Sequence, residues 1–239
     1  MIKFLTLNLL KYFDFLNQSK VFKFLKKKGY KKFDIFFDVG AHRGETIKLF
    51  LNNFSIKKIY SFEPLKENFS FLKKNSNKLK KTNKEVSIIV ENIALGNENK
   101  KILIKQFSET SSSTINDINL KSKYFKRKSF LLYDKKRPYS EKEIEQIKFS
   151  DYIEKNHVPK IDFLKIDTEG FEMKVLKGLG NQLTNVGIIM FEHHYDNMII
   201  KKYKFSDINQ LLIENNFTQI FKYKMAFRKT FEYVYVKKS

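Results

Sequence analysis

The chain has 239 residues, a formal net charge of +21 and no cysteine. This length suits one large α/β domain, and a hydrophobic fraction of 42%, with 25 Phe and 12 Tyr, is ample for a packed core. Without cysteine the chain forms no disulfide and no thiolate metal site, so a reducing compartment is allowed and secretion finds no support.

The positive charge raises the question of a nucleic acid or an anionic membrane as partner. The chain is rich in Lys, Asn, Ile and Phe together, the amino acids of A+T-rich codons, and its lysines are scattered through every segment. We therefore favour genome composition and a solvated face over nucleic-acid binding as the source of the charge.

The first residues predict an amphipathic helix, because apolar side chains recur at helical spacing between residues 1 and 16. The segment has no apolar run long enough to span a membrane and no small-residue cleavage site. We predict an N-terminal helical extension at 1–32 and a catalytic domain at 33–239. A basic helix lying on a membrane surface remains the alternative to simple packing on the domain.

A strand, a glycine turn and a helix follow. The apolar run 35–39 breaks at Gly40, Gly44 comes next, and a helical run covers 45–52. This is the first βα unit of a nucleotide-type fold. The spacing is not G-x-G-x-x-G, and Asp38 ends the strand, which suits a cation or hydroxyl groups better than a pyrophosphate.

The middle of the chain alternates strands and helices. We predict strands at 58–62, 86–90 and 101–107, a helix at 66–75 and a turn at 94–96. The strand at 101–107 is expected to form a hairpin across 97–99. Residues 108–137 have the weakest pattern and read as a long excursion, which in a compact fold is usually functional or disordered.

The last third continues the alternation. We predict strands at 143–149, 161–167, 187–191, 217–223 and 231–236, and helices at 150–156, after 171 and at 206–215. The two final strands, joined by a short basic connection, are expected to be antiparallel.

Four of the predicted strands end in an acid: Asp38, Glu63, Asp167 and Glu192. Ligands of open α/β sheets bind at the carboxyl ends of parallel strands, so these carboxylates would face one crevice. Crowded carboxylates repel each other, and a ligand with hydroxyls and positive charge, such as S-adenosylmethionine, explains them best. Glu63 alone does not distinguish this ligand from NAD, because both folds place an acid on a ribose.

Sequence motifs stand at Asp38–Ala41 with Gly44, at Phe62–Pro64, and at Lys165–Glu172, which Val175–Gly178 continues. Together they resemble the FkbM family of S-adenosylmethionine-dependent methyltransferases. The third motif, Lys-Ile-Asp-x-Glu-Gly-x-Glu, is the most specific. The resemblance covers roughly Phe33 to His194 and leaves out the N-terminal helix and the stretch 121–137.

The resemblance implies an α/β fold with a Rossmann-like, seven-stranded, mostly parallel sheet whose last strand is antiparallel. It also implies O-methyl transfer to a small hydroxylated acceptor, a saccharide or glycan precursor of the kind used in polysaccharide biosynthesis. His42 and Arg43 depart from the smaller or amide side chains that relatives often carry there, and they add charge beside the cofactor.

The candidate residues fall into three groups. For cofactor binding we predict Asp38, Gly40, His42, Gly44, Glu45, Thr46, Glu63, Pro64, Asn92 and Asp167. For catalysis we predict Asp167, Glu192, His193 and Lys165, with His193 as a base if it faces the crevice. For substrate binding we predict Ser111, Ser112, Glu169 and His194. Glu169 could equally stabilise a helix N-terminus, and His193 could equally be a hydrogen-bonded structural histidine.

Several alternatives stay open. An RNA methyltransferase, or a basic nucleic-acid-binding protein on a degenerate Rossmann scaffold, would be favoured by a concentrated basic stripe beside the crevice. Asp167, Glu192 and His193 could together bind a metal, although no ligand spacing supports one and we predict none. We expect a cytoplasmic protein, with membrane association through the N-terminal helix as the variant. The sequence leaves the oligomeric state undetermined.

Overall fold

A computed structural model describes residues 2–108, 112–133 and 138–238. Its helices are α1 Ile2–Lys27, α2 Glu45–Leu51, α3 Lys66–Thr82, α4 Lys123–Leu132, α5 Phe149–Lys155, α6 Glu172–Leu179 and α7 Phe205–Glu214. Its strands are β1 Lys32–Val39, β2 Ser55–Phe62, β3 Ser87–Glu91, β4 Ala94–Gly96, β5 Lys100–Phe107, β6 Asp117–Ile118, β7 Tyr139–Lys148, β8 Ile161–Ile166, β9 Val186–His194, β10 Ile199–Ile200, β11 Phe217–Lys224 and β12 Thr230–Lys237.

Seven strands form the main sheet, in the order β11-β12-β9-β8-β1-β2-β3. The neighbours from β9 to β3 run parallel, and β12 runs antiparallel to both β9 and β11. The predicted fold class and the antiparallel pairing of the two final strands are therefore confirmed. The strand order reverses on either side of β1 and β8, and such a switch point is where open α/β sheets bind ligands.

Helices cover both faces of the sheet, because successive side chains of a buried strand point to opposite sides. Phe36 packs with α1, α2 and α3 on one face, and Phe37 packs with α5, α6 and α7 on the other. The C-terminal half of α1 belongs to this core, since Val21, Phe22 and Leu25 are buried there. No helix in the described part of the chain has the length and apolarity needed to cross a membrane.

A second, three-stranded sheet corrects two predictions. Residues 94–96 form a strand, β4, where a turn was expected, and the predicted hairpin across 97–99 does not form. Instead β7 lies between β4 and β5 and pairs with both. Hydrogen bonds from β7 hold the residues that connect β4 to β5. The Gln146 side chain donates to the Glu98 carbonyl, and the Lys148 N–H donates to the Asn99 side chain.

Gly178 sets how closely α6 approaches the second sheet. A Cβ added there would lie 1.8 Å from the carbonyl oxygen of Gly96 in β4. Only a residue without a side chain allows this contact. It explains the glycine that ends the motif Val175–Gly178.

We expect Gly178→Ala to lower the free energy of unfolding by about 1–3 kcal/mol, the usual range for overpacking a tight contact. Lys177→Ala, on the exposed side of the same helix, is the control and should change stability by less than about 0.5 kcal/mol. Urea unfolding followed by circular dichroism measures both. Equal stability of the two variants would mean that α6 moves away from β4 without cost.

Candidate functional site

The turn after β1 brings the chain against the end of β8. The Asp167 N–H donates to the Val39 carbonyl at 2.9 Å, and a Cβ on Gly40 would lie 1.9 Å from the Asp167 carbonyl oxygen. Gly40 also has a φ of +84°, which favours glycine. The carboxyl ends of β1 and β8 are thus locked together, and Asp167 lies directly beside the glycine turn.

Glu63 follows β2 and is 5% exposed. One carboxylate oxygen accepts the His42 N–H and the other accepts the Leu65 N–H, each at 3.0 Å. Burial raises the pKa of Glu63 to about 7, although these two N–H donors favour its charged form. His42 itself has a φ of +48°, a sparsely populated conformation of the kind found at functional sites.

Lys165 stands between two carboxylates in the protein interior. Its Nζ donates to Asp167 Oδ2 at 3.1 Å and lies 3.7 Å from Asp38 Oδ1. Burial disfavours the ammonium, but Asp167 and Asp38 outweigh it and raise the pKa of Lys165. Burial raises the pKa of Asp38 to about 6. For Asp167 burial acts in the same direction, but Lys165 overcomes it and lowers the pKa. Asp167 is therefore ionised at neutral pH.

Strand β9 extends to His194, three residues beyond its predicted end. Glu192 and His194 consequently lie on one side of the strand, and both line the cavity described below. Burial raises the pKa of Glu192 well above its usual value, and the charges of Asp167 and Glu232 add to the effect. Among the acids at this end of the site, Glu192 is thus the one whose neutral form is most favoured.

His193 lies on the opposite side of β9, among the rings of Tyr195, Tyr203 and Phe205. Burial lowers its pKa to about 3, with the nearby Lys201 ammonium adding to the effect. The sequence prediction of a base at His193 required that it face the crevice, and the structure corrects it: the histidine on the crevice side is His194.

His194 pairs with Glu169, with 3.2 Å between His194 Nε2 and Glu169 Oε2. The other ring nitrogen of His194, Nδ1, lies 3.0 Å from the Thr230 hydroxyl. Burial lowers the pKa of His194, but Glu169 and Asp196 outweigh it, so the net shift is upward. Burial raises the pKa of Glu169 against the opposing His194 charge. The two side chains form a buried acid–imidazole pair beside Asp167.

These groups line a cavity of about 1550 Å³ at the switch point, which we call the inner cavity. Its predicted residues are Gly40, His42, Glu45, Thr46, Glu63, Pro64, Ser112, Lys165, Asp167, Glu169, Glu192 and His194. A pocket for one small ligand usually measures about 300–1,000 Å³. The inner cavity therefore has room for two ligands side by side.

The other predicted residues do not line the inner cavity. Asp38 is fully buried beneath Lys165, and Gly44 packs on Leu72. The Asn92 side chain donates to the carbonyls of Glu63 and Pro64, so it positions the turn after β2. Ser111 lies outside the described residues.

Sequence reasoning missed two groups of cavity residues. Tyr124, Arg127 and Lys128 come from α4, inside the excursion that had no clear pattern, and Phe227 and Arg228 come from the turn between β11 and β12. The one available signal was the basic, aromatic composition of both segments. Asn68 of α3 and Leu9 and Gln18 of α1 also line the inner cavity.

Within the described ranges, no group of three or more His, Asp or Glu side chains is arranged to hold a metal ion. The set considered from the sequence, Asp167 and Glu192 with His193, is divided because His193 lies on the far side of β9.

A comparison with protein-family models matches residues 38–219 to the methyltransferase FkbM domain. The matched segment contains the last two residues of β1, the glycine turn, Glu63 and the whole of β8 and β9. The chain belongs to the FkbM methyltransferase family.

One curated relative is the hexuronic acid methyltransferase AglP of Haloferax volcanii, 39% identical over 51 residues, which are 21% of this chain and 21% of AglP. A solved FkbM methyltransferase from Methylobacillus flagellatus KT has a TM-score of 0.56 and 14% identity, over 85% of this chain and 43% of that chain. This FkbM-family chain thus spans less than half of that structure and about a fifth of AglP.

A third comparison concerns fold alone. The magnesium protoporphyrin IX methyltransferase of Synechocystis PCC 6803, solved with bound SAM, has a TM-score of 0.54 and 8% identity, over 96% of this chain and 82% of that chain. The likeness supports the class I methyltransferase architecture of the seven-stranded sheet.

The buried charges predict a pH-dependent stability defect. Lys165→Met leaves Asp38 without its counter-charge, and breaking a buried pair costs about 3–5 kcal/mol. The pKa of Asp38 is already raised to about 6; a raised carboxyl pKa favours folding at low pH and loses that contribution as the pH rises through it. The defect should therefore be larger at pH 8 than at pH 5, measured by urea unfolding.

The double variant Asp38→Asn with Lys165→Met is the control, since it removes the stranded charge. It should recover most of the loss at pH 8. A single variant with the same defect at both pH values would show that Asp38 does not carry the effect.

Proposed function

We propose that the protein is an S-adenosylmethionine-dependent O-methyltransferase that acts on a hydroxyl of a small saccharide or glycan precursor. The observation that carries the proposal is Glu63, a buried carboxyl at the end of β2. It lies on the wall of the inner cavity, which Gly40 also lines. Its two backbone donors fix the orientation of the carboxyl group. An acid in this place is suited to the two hydroxyls of a ribose.

The residues around Glu63 fit the cofactor. Asn68 is 1% exposed, and its side-chain oxygen has no hydrogen-bond partner, so it is an acceptor available to a ligand N–H or O–H. Gly40 lines the same cavity, and the space left by its missing side chain is taken by the Asp167 carbonyl, which brings Asp167 close to the glycine turn. His42, Glu45, Thr46 and Pro64 complete this end of the inner cavity. We propose that these residues hold S-adenosylmethionine.

The bound cofactor would supply a methyl group already activated by the positive sulfur. The chain's own contribution is to orient the acceptor hydroxyl and to accept its proton. Asp167 is an ionised carboxylate directly beside the glycine turn and can accept that proton. Glu192, whose pKa is raised, can in its neutral form donate a hydrogen bond to the acceptor. Lys165 keeps Asp167 charged by direct contact.

The acceptor end of the inner cavity favours a polyhydroxyl ligand. Glu169 and His194 provide an acid–imidazole pair, and Ser112, which accepts a hydrogen bond from Lys128 Nζ at 2.6 Å, provides a hydroxyl. Polar side chains of this kind can form hydrogen bonds with the several hydroxyls of a sugar. The name of the AglP relative, a hexuronic acid methyltransferase, agrees with a sugar acceptor.

RNA methylation is the second candidate function, because cationic side chains gather beside the inner cavity at Arg127 and Arg228. The sugar proposal requires that these cations serve a small anionic group. An assay of methyl transfer to RNA distinguishes the two functions.

The raised pKa of Glu63, about 7, predicts pH-dependent cofactor binding. Affinity for S-adenosylhomocysteine should increase from pH 6 to pH 8, because the carboxylate is a better acceptor for hydroxyl donors than the neutral acid. Glu63→Gln should weaken binding by about 1–3 kcal/mol at pH 8 and lose this pH dependence. Isothermal titration calorimetry measures both.

Glu85→Gln is the matched control, because Glu85 is an exposed glutamate that does not line the inner cavity. It should bind like the wild type. Unchanged affinity in Glu63→Gln would place the ribose elsewhere.

Asp167→Asn keeps the shape of the site and removes the ionised carboxylate. We expect turnover to fall by about 10²–10⁴, the usual contribution of a general base or positioning group. Transfer of a labelled methyl group to a panel of sugars and sugar phosphates, followed by mass spectrometry, measures the rate.

His193→Gln is the control from the neighbouring strand and should keep a rate near that of the wild type, since His193 lies away from the inner cavity. A near wild-type rate for Asp167→Asn would refute the role of Asp167 and leave Glu192 as the candidate base.

A further inference from the structure

A second cavity, of about 910 Å³, adjoins the inner cavity, and we call it the outer cavity. The two share Tyr124, Arg127, Phe227 and Arg228 on their walls. The first turn of α4, the loop after β9 and the turn between β11 and β12 enclose the outer cavity. A ligand that occupies the inner cavity can therefore extend into the outer one past these four side chains.

The outer cavity is strongly cationic. Its basic lining residues are Lys121, Lys123, Arg127, Lys224, Arg228 and Lys229, and its one acidic residue in the described structure is Asp196. Asp196 is already committed within the fold, because its Oδ1 accepts the Met198 N–H at 2.9 Å and its Oδ2 lies 3.7 Å from His194 Nδ1.

The inner cavity differs, since its acids and its cations are nearly balanced. A chain-wide excess of lysine would make both walls basic. The asymmetry therefore belongs to the outer cavity and not to the composition of the chain.

The turn between β11 and β12 connects the two cavities. Its base is closed by the Met225 N–H donating to the Thr230 carbonyl at 2.9 Å. Phe227 within it has a φ of +60°, an unusual conformation for a bulky residue. Burial raises the pKa of Glu169 and Glu192, and the positive charge of Arg228 on the shared wall opposes that shift. For Asp167 the Arg228 charge adds to the lowering of the pKa by Lys165.

We propose that the outer cavity binds a phosphate or diphosphate group of the methyl acceptor while the acceptor hydroxyl reaches Asp167 in the inner cavity. The inference rests on the proposed function and names the substrate class: a sugar that carries a phosphate ester. Guanidinium groups bind phosphate oxygens in pairs, and clustered lysines raise the local concentration of anions.

The size of the outer cavity separates this ligand from RNA. Its volume lies within the usual range for a small-molecule pocket, about 300–1,000 Å³. Its six cations line one cavity of this size. A single diphosphate can meet several of them at once, whereas a strand of RNA needs a continuous basic path along its backbone.

The test is calorimetric titration with inorganic pyrophosphate at physiological ionic strength. The wild type should bind it at one site, and Lys224→Gln with Lys229→Gln should bind at least tenfold more weakly, since the two substitutions remove two charged hydrogen-bond donors to phosphate. Both lysines are exposed, so folding should be preserved, which circular dichroism checks.

The control is Lys78→Gln with Lys81→Gln, which removes two exposed lysines of α3 and changes the net charge equally. It should bind pyrophosphate like the wild type. An equal loss in both double variants, or no binding by the wild type, would overturn the proposal.

Competition identifies the source of the phosphate. Displacement of pyrophosphate by a nucleotide diphosphate sugar supports a soluble acceptor, and displacement by vesicles that contain a polyprenyl diphosphate supports a lipid-linked one. Displacement by neither would overturn the proposal, as would tight binding of an RNA oligonucleotide that pyrophosphate cannot displace.

Titration of the same samples with S-adenosylhomocysteine separates this inference from the proposed function. If the protein binds S-adenosylhomocysteine but not pyrophosphate, the proposed phosphate site is refuted and the cofactor assignment stands. If it binds pyrophosphate but not S-adenosylhomocysteine, the cofactor assignment is refuted and the anion site stands.

Discussion

The contact between the ends of β1 and β8 determines the rest of the site. Gly40 lies so close to the Asp167 carbonyl that no side chain fits between them, and Lys165 joins Asp38 to Asp167 just below. Asp38 and Lys165 are buried and Asp167 is partly exposed, and contact with the Lys165 ammonium stabilises both carboxylates. The same pairing keeps Asp167 ionised at the floor of the inner cavity.

This arrangement shifts the pKa values of neighbouring carboxyl groups in opposite directions. Contact with Lys165 overcomes burial and lowers the pKa of Asp167, whereas burial and the neighbouring carboxylates raise the pKa of Glu192. Glu169 has His194 as its partner. Environments that separate the pKa values of neighbouring groups are a usual sign of acid and base roles. Arg127 and Arg228 line both cavities and add positive charge to the wall that the two cavities share.

The parts of the site that the sequence predicted are those coded locally. A strand followed by glycine positions Asp38 and Gly40, and acids at strand ends locate Glu63, Asp167 and Glu192. The histidines show where local reasoning stops. With β9 expected to end at Phe191, the sides taken by His193 and His194 could not be assigned; pairing with β12 continues the strand and fixes them, with Phe231 opposite His193 and Thr230 opposite His194.

The same limit explains the residues that the sequence did not reveal. Arg127 and Arg228 come from segments without apolar periodicity, and tertiary contacts alone bring them to the cavities. The proposed function depends on the identity of the cofactor. Native mass spectrometry of the purified protein tests that identity most directly. With equimolar S-adenosylhomocysteine and NAD added, we predict a one-to-one complex with S-adenosylhomocysteine and none with NAD. A complex with NAD alone would contradict the account.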